Sequence, residues 1–146
     1  MKVAAITQNL DYCICANLRK ASRLVTQAYD EAFRSSGLRS TQIIILINAS
    51  KNASVRVSKL SEQLLMDRTT LTRNLKPLEK QGLIKVEVGE DRRERNVALT
   101  LKGKNVLGKA FPLWQKKQIV FMETVGREGC ADLLRKVDAF VEAIKR

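Results

Sequence analysis

Apolar positions along this chain recur with helical spacing in several long stretches and alternate with polar ones in two short runs, which predicts a mainly α fold with one small β-hairpin. The clearest helix begins at Arg68. Leu71, Leu75 and Leu78 fall at i, i+4 and i+7 and make one apolar stripe, while Arg68, Thr69, Thr72, Arg73, Lys76 and Lys80 share the other side. Asp67 is a favoured N-cap, because a short carboxylate accepts a hydrogen bond from a free amide in the first turn, here that of Thr70. Gly82 sits where a left-handed residue would close the helix, with the apolar Leu83 behind it, and Pro77 is expected to bend it.

Just upstream, Ser58 can cap a short helix to Leu65 that carries Leu60 and Leu64 one turn apart, and a tight turn at Leu65-Met66-Asp67 joins it to the next. Two such helices make a helix-turn-helix. Downstream, Ile84, Val86 and Val88 alternate with Lys85 and Glu87, and Val97 and Leu99 resume the alternation after a turn from Gly89 to Asn96. The turn carries the basic tip Asp91-Arg92-Arg93-Glu94-Arg95. A basic amphipathic helix by itself is usually a solvated surface helix. The order decides: capped helix, turn, hydroxyl-rich basic helix, glycine stop and arginine-tipped hairpin together describe a winged helix-turn-helix that contacts duplex DNA.

The flanks are helical as well. From Leu10 to Ser35 a stripe of Ile14, Leu18, Ala21, Val25, Ala28 and Ala32, widened by Leu24, Tyr29 and Phe33, predicts one long helix ending before Gly37. Its apolar face is longer than a small winged lobe can cover, so part of it is expected to face another subunit; packing in its own core is the alternative. Ser40 can cap the segment Thr41 to Ala49, whose Ile43-to-Ile47 run suits a buried strand equally well by periodicity. The cap and the helix required before a helix-turn-helix favour helix. Lys51 to Ser54 is then a turn, and Val55-Arg56-Val57 a short edge strand against the wing.

After the hairpin, Thr100 caps a helix from Leu101 to about Thr124, kinked at Pro112, with Leu107, Phe111, Trp114, Phe121 and Val125 on its stripe. A break from Gly126 to Gly129 leads into a last stripe of Cys130, Leu133, Leu134, Val137, Phe140, Val141 and Ile144, which no local element covers. Terminal helices left half bare suggest a homodimer interface, because one helix-turn-helix reads too few base pairs and a two-fold dimer reads two half-sites. A helical hairpin capping a monomer is the other possibility. The expected organisation is one domain over residues 1–146, with 1–36 and 104–146 as dimerisation helices and 38–103 as the DNA-binding lobe.

Composition narrows this. A length of 146 residues with 45% hydrophobic content suffices for one core, and no long uncharged apolar run could span a membrane. The apolar part of Met1 to Ile6 is too short for a secretory signal, so a cytoplasmic location is expected. The net charge of +12 favours a polyanionic partner through counterion release, but the excess is spread along the chain and does not locate the site. Histidine is absent, which removes His-based zinc sites, Ser-His and Cys-His pairs and the commonest general base. No catalytic residue, metal or cofactor is assigned.

Leu38-Arg39-Ser40-Thr41-Gln42, the segment Leu60 to Leu83 ending Leu78-Glu79-Lys80-Gln81-Gly82-Leu83-Ile84, the wing Asp91-Arg92-Arg93, and Val97-Ala98-Leu99-Thr100-Leu101-Lys102-Gly103 together resemble the MarR family of bacterial transcription regulators. The resemblance covers roughly residues 10–145, and its most specific parts are the wing and the Leu-Thr-x-x-Gly segment Leu99, Thr100 and Gly103. It implies an obligate homodimer with interlocked terminal helices, recognition helices in adjacent major grooves and wings over the minor groove; a pseudo-palindromic operator is the expected partner and repression the expected role. By position, Arg93 matches the wing arginine that enters the minor groove and Asp91 the acidic residue that orients it. A narrow A·T-rich minor groove attracts a guanidinium, which agrees.

Arg92 and Arg95 are assigned to phosphates; Arg68, Thr69, Thr70, Thr72 and Arg73 to base edges or phosphates, with Arg73 able to grip guanine in bidentate fashion; and Lys76 and Ser58 to the backbone. Many members of the family bind a small-molecule effector in a pocket between the dimer helices and the DNA-binding lobe. Here Phe111, Trp114, Tyr29, Arg19 and Arg23 are the residues on which such a pocket would rest. Cys13, Cys15 and Cys130 are too few and too sparse for a disulfide framework. Cys13 and Cys15 are candidates for redox or metal sensing, set against the ordinary role of a thiol as a small core residue. A non-specific architectural nucleic-acid-binding protein is the alternative function.

Overall fold

The computed structural model describes residues 12–145; Leu10, the expected start of the first helix, and the segment Met1 to Ile6 lie outside the described residues. Helix α1, Ile14–Phe33, runs into a 3-10 turn, Arg34–Ser36, that stops at Gly37 with a left-handed φ of 72°. Helix α2 spans Ser40–Ser50. It corrects one expectation: Arg39 holds the N-cap position, and Ser40 ties the helix start to α1 instead, its amide and its Oγ each donating to Asp30 Oδ1 at 2.7 Å. The isoleucine run is helical because its burial splits by turn, with Ile43, Ile45, Leu46 and Ala49 buried and Ile44 and Ile47 facing outward.

The two-residue strand β1, Val55–Arg56, leads directly into α3, Val57–Leu64. Ser58 therefore lies inside the first turn of α3 and does not cap it; Arg56 occupies that position. The turn of the helix-turn-helix works through Leu65 in the left-handed region at φ 51°, with the Met66 amide donating to Ser61 O at 3.0 Å. Helix α4 is Arg68–Lys80. Its end is the expected glycine cap: Gly82 has φ 70°, its amide donates to Glu79 O at 2.8 Å and that of Leu83 to Leu78 O at 2.9 Å.

Strands β2, Ile84–Val88, and β3, Arg95–Leu99, form the wing, and β1 joins them in an antiparallel sheet of order β1-β3-β2 with Val55 opposite Val97 and Arg56 opposite Asn96. The connecting turn is shorter than expected, because Arg95 and Asn96 pair with Val88 and Glu87 and belong to β3. Helix α5, Leu101–Val125, contains Pro112, and α6 is Arg127–Ile144. Gly126 alone breaks the chain, at φ 83°, and Gly129 is inside α6, not in the break.

One core joins these pieces. Leu46 of α2, Leu60 of α3, Leu71 and Leu78 of α4, Ile84 of β2 and Val97 of β3 are fully enclosed, together with Phe33 of α1 and Ala110 of α5. Burying each aliphatic side chain of this set contributes about 2 kcal/mol, and it holds α4 with its polar side outward. The fold is a winged helix-turn-helix flanked by long helices.

The joint between wing and α5 is tight. Thr100 caps α5 by accepting from the Gly103 amide at 3.0 Å, while its Oγ1 donates to Gly82 O at 2.7 Å and its amide to Leu83 O at 3.1 Å. A Cβ on Gly103 would lie 2.0 Å from that Leu83 carbonyl oxygen. The Leu-Thr-x-x-Gly segment is thus a packing device that fixes the glycine stop of α4 against the first turn of α5.

Elsewhere apolar surface is left bare. Leu24 of α1, Ile119 and Val125 of α5, and Leu133, Leu134 and Ile144 of α6 are each 53–62% exposed. Among the described residues no helix is long and apolar enough to cross a membrane.

Candidate nucleic-acid interface

Helix α4 is positioned from both ends and from behind. Leu71, Leu75 and Leu78 anchor its inner face at no more than 4% exposure. At its start, Asp67 accepts from the Thr70 amide at 2.8 Å and from the Thr70 hydroxyl at 2.6 Å. These bonds, the hydroxyl's first, hold the Asp67 carboxyl below the ordinary carboxylate range. A lowered native value means the cap stabilises the fold above the unfolded carboxylate range and loses that contribution as the pH falls through the native value. The stability gap between the wild type and Asp67→Ala should therefore close on acidification, as followed by urea denaturation at a series of pH values; a gap constant to strongly acid pH would show that the carboxylate is not the capping group.

The outward side of α4 presents Arg68, Thr69, Thr72, Arg73 and Lys76, all exposed, along one shallow groove. Five polar side chains on successive turns of a rod suit the donor and acceptor pattern of a major groove. Thr70, expected among them, is half-buried and its hydroxyl is engaged with Asp67, so it orients the helix. Pro77 leaves α4 continuous to Lys80; without an amide hydrogen it cannot donate to the carbonyl one turn earlier, that of Arg73.

The wing stands beside this helix. Its turn is closed by Gly89 N donating to Glu94 O at 3.1 Å and Glu94 N to Asp91 O at 2.8 Å. Asp91 acts on the backbone: its Oδ1 accepts from the Arg93 amide at 2.9 Å, which shapes the turn that carries the exposed Arg93 side chain. Arg95 donates through Nη1 to the carbonyls of Arg92 and Glu94, at 2.8 and 2.9 Å, so it braces the tip from β3. Arg92 is exposed at the tip itself.

Between wing and helix lies a cleft of about 170 Å³ lined by Arg56, Ser58, Arg68, Thr72, Arg93 and Glu94 among others. Ser58, misread as a cap, is brought here beside Arg68 and Arg93. Arg56 was not singled out from the sequence. It ends a two-residue strand with no periodicity of its own, and only the pairing of β1 with β3, opposite Asn96, sets it next to the wing.

The remaining candidates disperse. Tyr29 stacks on Phe33 and meets Phe121 edge-on, donates its hydroxyl to Gln118, and has its phenol pushed up by burial. Phe111 and Trp114 stack on each other at an exposed position of α5, and Arg19 and Arg23 lie along an open depression on α1. Cys13 precedes the first turn of α1 half-buried, Cys15 is exposed within it, and Cys130 Sγ lies 3.7 Å from Phe121 O. Among the described residues no group of three or more Cys, Asp or Glu is placed to hold a metal ion.

Known proteins share this architecture and sequence. The chain is 39% identical to the M. tuberculosis transcriptional regulator MosR, whose crystal structure in complex with DNA matches with a TM-score of 0.75 over 87% of this chain and 97% of that one. The transcriptional repressor CouR, bound to a 23-mer DNA duplex, is 22% identical and shares the fold at a TM-score of 0.83 over 91% of this chain and 95% of that one. The HTH-type transcriptional regulator SarZ of Staphylococcus epidermidis is 27% identical over 130 residues, covering 88% of this chain and 86% of SarZ. The profile described as MarR family matches residues 38–94.

Proposed function

Because this chain belongs to the MarR family, whose members regulate transcription, we propose that it is a sequence-specific double-stranded DNA-binding regulator, acting as a homodimeric repressor in the cytoplasm. The observation that carries the reading is the outward face of α4, where Arg68, Thr69, Thr72, Arg73 and Lys76 stand exposed on a rod anchored by three buried leucines, with an arginine-tipped wing beside it. In this reading α4 enters the major groove of each half-site, Arg73 reads a base, Lys76 and Arg92 meet phosphates, and Arg93 enters the minor groove. MosR and CouR were each crystallised on DNA, which supports the partner.

The homodimer is supported by the bare apolar stripes of α1, α5 and α6, since contiguous apolar patches on a soluble chain mark interaction sites. Residues 1–36 and 104–146 supply that interface in the proposed division, and 38–103 the DNA-binding lobe. Release by a small-molecule effector or by thiol chemistry at Cys13 and Cys15 belongs to the same proposal; loss of operator affinity on mild oxidation, abolished in Cys13→Ser and Cys15→Ser, would support the thiol route. The work is done by binding, without catalysis.

Two substitutions separate base reading from simple charge. Arg73→Ala is expected to relax preference at one base position by about 1–3 kcal/mol, whereas Arg93→Ala weakens binding with a modest loss of discrimination. Binding measured against a set of single-base operator variants decides it. Equal, sequence-blind losses for both would mean that α4 does not read bases, and would favour a non-specific architectural protein.

A further inference from the structure

The cleft between wing and recognition helix holds more positive charge than the chain neutralises. Arg56 Nη1 lies 3.1 Å from Glu94 Oε1, an ion pair between β1 and the wing turn. Arg68 and Arg93 line the same cleft, and their guanidinium groups make no hydrogen bond or ion pair among the described residues. Arg95 also borders it but is occupied with two turn carbonyls. Four guanidinium groups therefore share one cleft with a single carboxylate, and Ser58 lines it as well.

Glu94 is held there by its surroundings. Its amide and carbonyl both close the wing turn, and its side chain lies over Gly89, where a Cβ would come within 2.9 Å of Glu94 Cβ and 3.2 Å of Oε2. At 31% side-chain exposure it is less free than Arg56 at 60%. A carboxylate in a cationic cleft offers a guanidinium the same kind of anionic oxygen that a phosphodiester offers.

We propose that Arg56 and Arg68 form a clamp for one phosphate of the DNA backbone, and that Glu94 is paired with Arg56 as a built-in phosphate surrogate until DNA displaces it. The proposal rests on the DNA-binding reading above. The cleft of about 170 Å³ has room for a phosphate group and lies between the element assigned to the major groove and the one assigned to the minor groove, where the backbone between the grooves passes. Contact with a phosphate carries no sequence information, so the clamp sets affinity and docking register. Glu94 lowers affinity for every sequence alike, because Arg56 must leave one anion to take the other.

The test is a salt series of fluorescence anisotropy titrations on a labelled random-sequence duplex and on the region upstream of the protein's own gene, with thermal melts of each variant alone. Arg56→Gln is expected to weaken binding to both duplexes by the same factor, about 5- to 10-fold, and to lower the salt slope by about 1. Arg56→Lys, which keeps the charge, retains that slope. Glu94→Gln is expected to tighten binding to both duplexes about 3- to 10-fold, and the gain disappears when Arg56→Gln is also present.

A gain that persists without Arg56 would mean that Glu94 acts only as bulk negative charge, and would overturn the proposal. So would a parallel fall in melting temperature and affinity for Arg56→Gln and Glu94→Gln, the behaviour of a structural brace. Wild-type protein that binds neither duplex would overturn the DNA-binding reading as well, whereas wild-type binding with unresponsive variants overturns the clamp alone.

Discussion

Aspartate at both Leu134 and Phe140 is expected to leave the chain folded but break the proposed homodimer, and to lower its affinity for an operator by about 10³-fold, to near the sequence-independent level. Both residues lie on α6, exposed at 61% and 38%, and neither belongs to the core that holds α4 and the wing. The substitutions therefore spare the DNA-binding surface and act on the apolar stripe alone. Two charges in a desolvated interface have no counter-ion there, so the interface does not form. Each monomer then engages one half-site, and the affinity gained by presenting two lobes about one helical turn apart is lost. Sedimentation velocity with anisotropy on the same samples checks both halves of the expectation; a double variant that stays dimeric and binds normally would place the interface elsewhere.

Gly103→Ala is expected to cost about 3 kcal/mol of stability, although alanine is the better helix former. The new Cβ would sit 2.0 Å from the backbone oxygen of Leu83, which no rotamer change can relieve. Either α5 or the strand leading into the wing must move, and with it the hydrogen bonds from Thr100 to Gly82 and Leu83. Gly108 is the control. It lies in the same helix with open space around its would-be Cβ, so Gly108→Ala should be neutral or stabilising by about 0.5–1 kcal/mol. Urea midpoints at constant slope compare the two directly. Similar effects at both positions would mean that helix propensity, and not the close approach to Leu83, governs Gly103.

The centre of the molecule was legible because its local signals agree with one another. Asp67, the Leu71-Leu75-Leu78 stripe, Gly82 and the alternating wing each fix geometry within a few residues, and α4 begins and ends where they require. The serines misled for a shared reason. Ser40 and Ser58 have capping chemistry, but Asp30 from another helix claims Ser40, and β1 runs into α3 with Arg56 at the cap position.

Position within the site was only partly readable. Arg68, Thr69, Thr72, Arg73 and Lys76 follow from helical phase alone, whereas Thr70 turned out to serve the cap and Arg95 the wing turn. Phase says which side a residue is on and nothing of the partner it finds there. Arg56 needed the pairing of β1 with β3, a contact across some forty positions of sequence that no local pattern announces.

Hydroxyl-radical footprinting of the region upstream of the protein's own gene, at a salt concentration where random duplex is weakly bound, bears most directly on the idea that two copies of α4 read DNA in register. The expected result is two protected tracts about one helical turn apart, related by a pseudo-two-fold axis, with flanking protection in the minor groove where the wings lie. Uniform protection at every sequence, or a single unpaired tract at saturation, would contradict it.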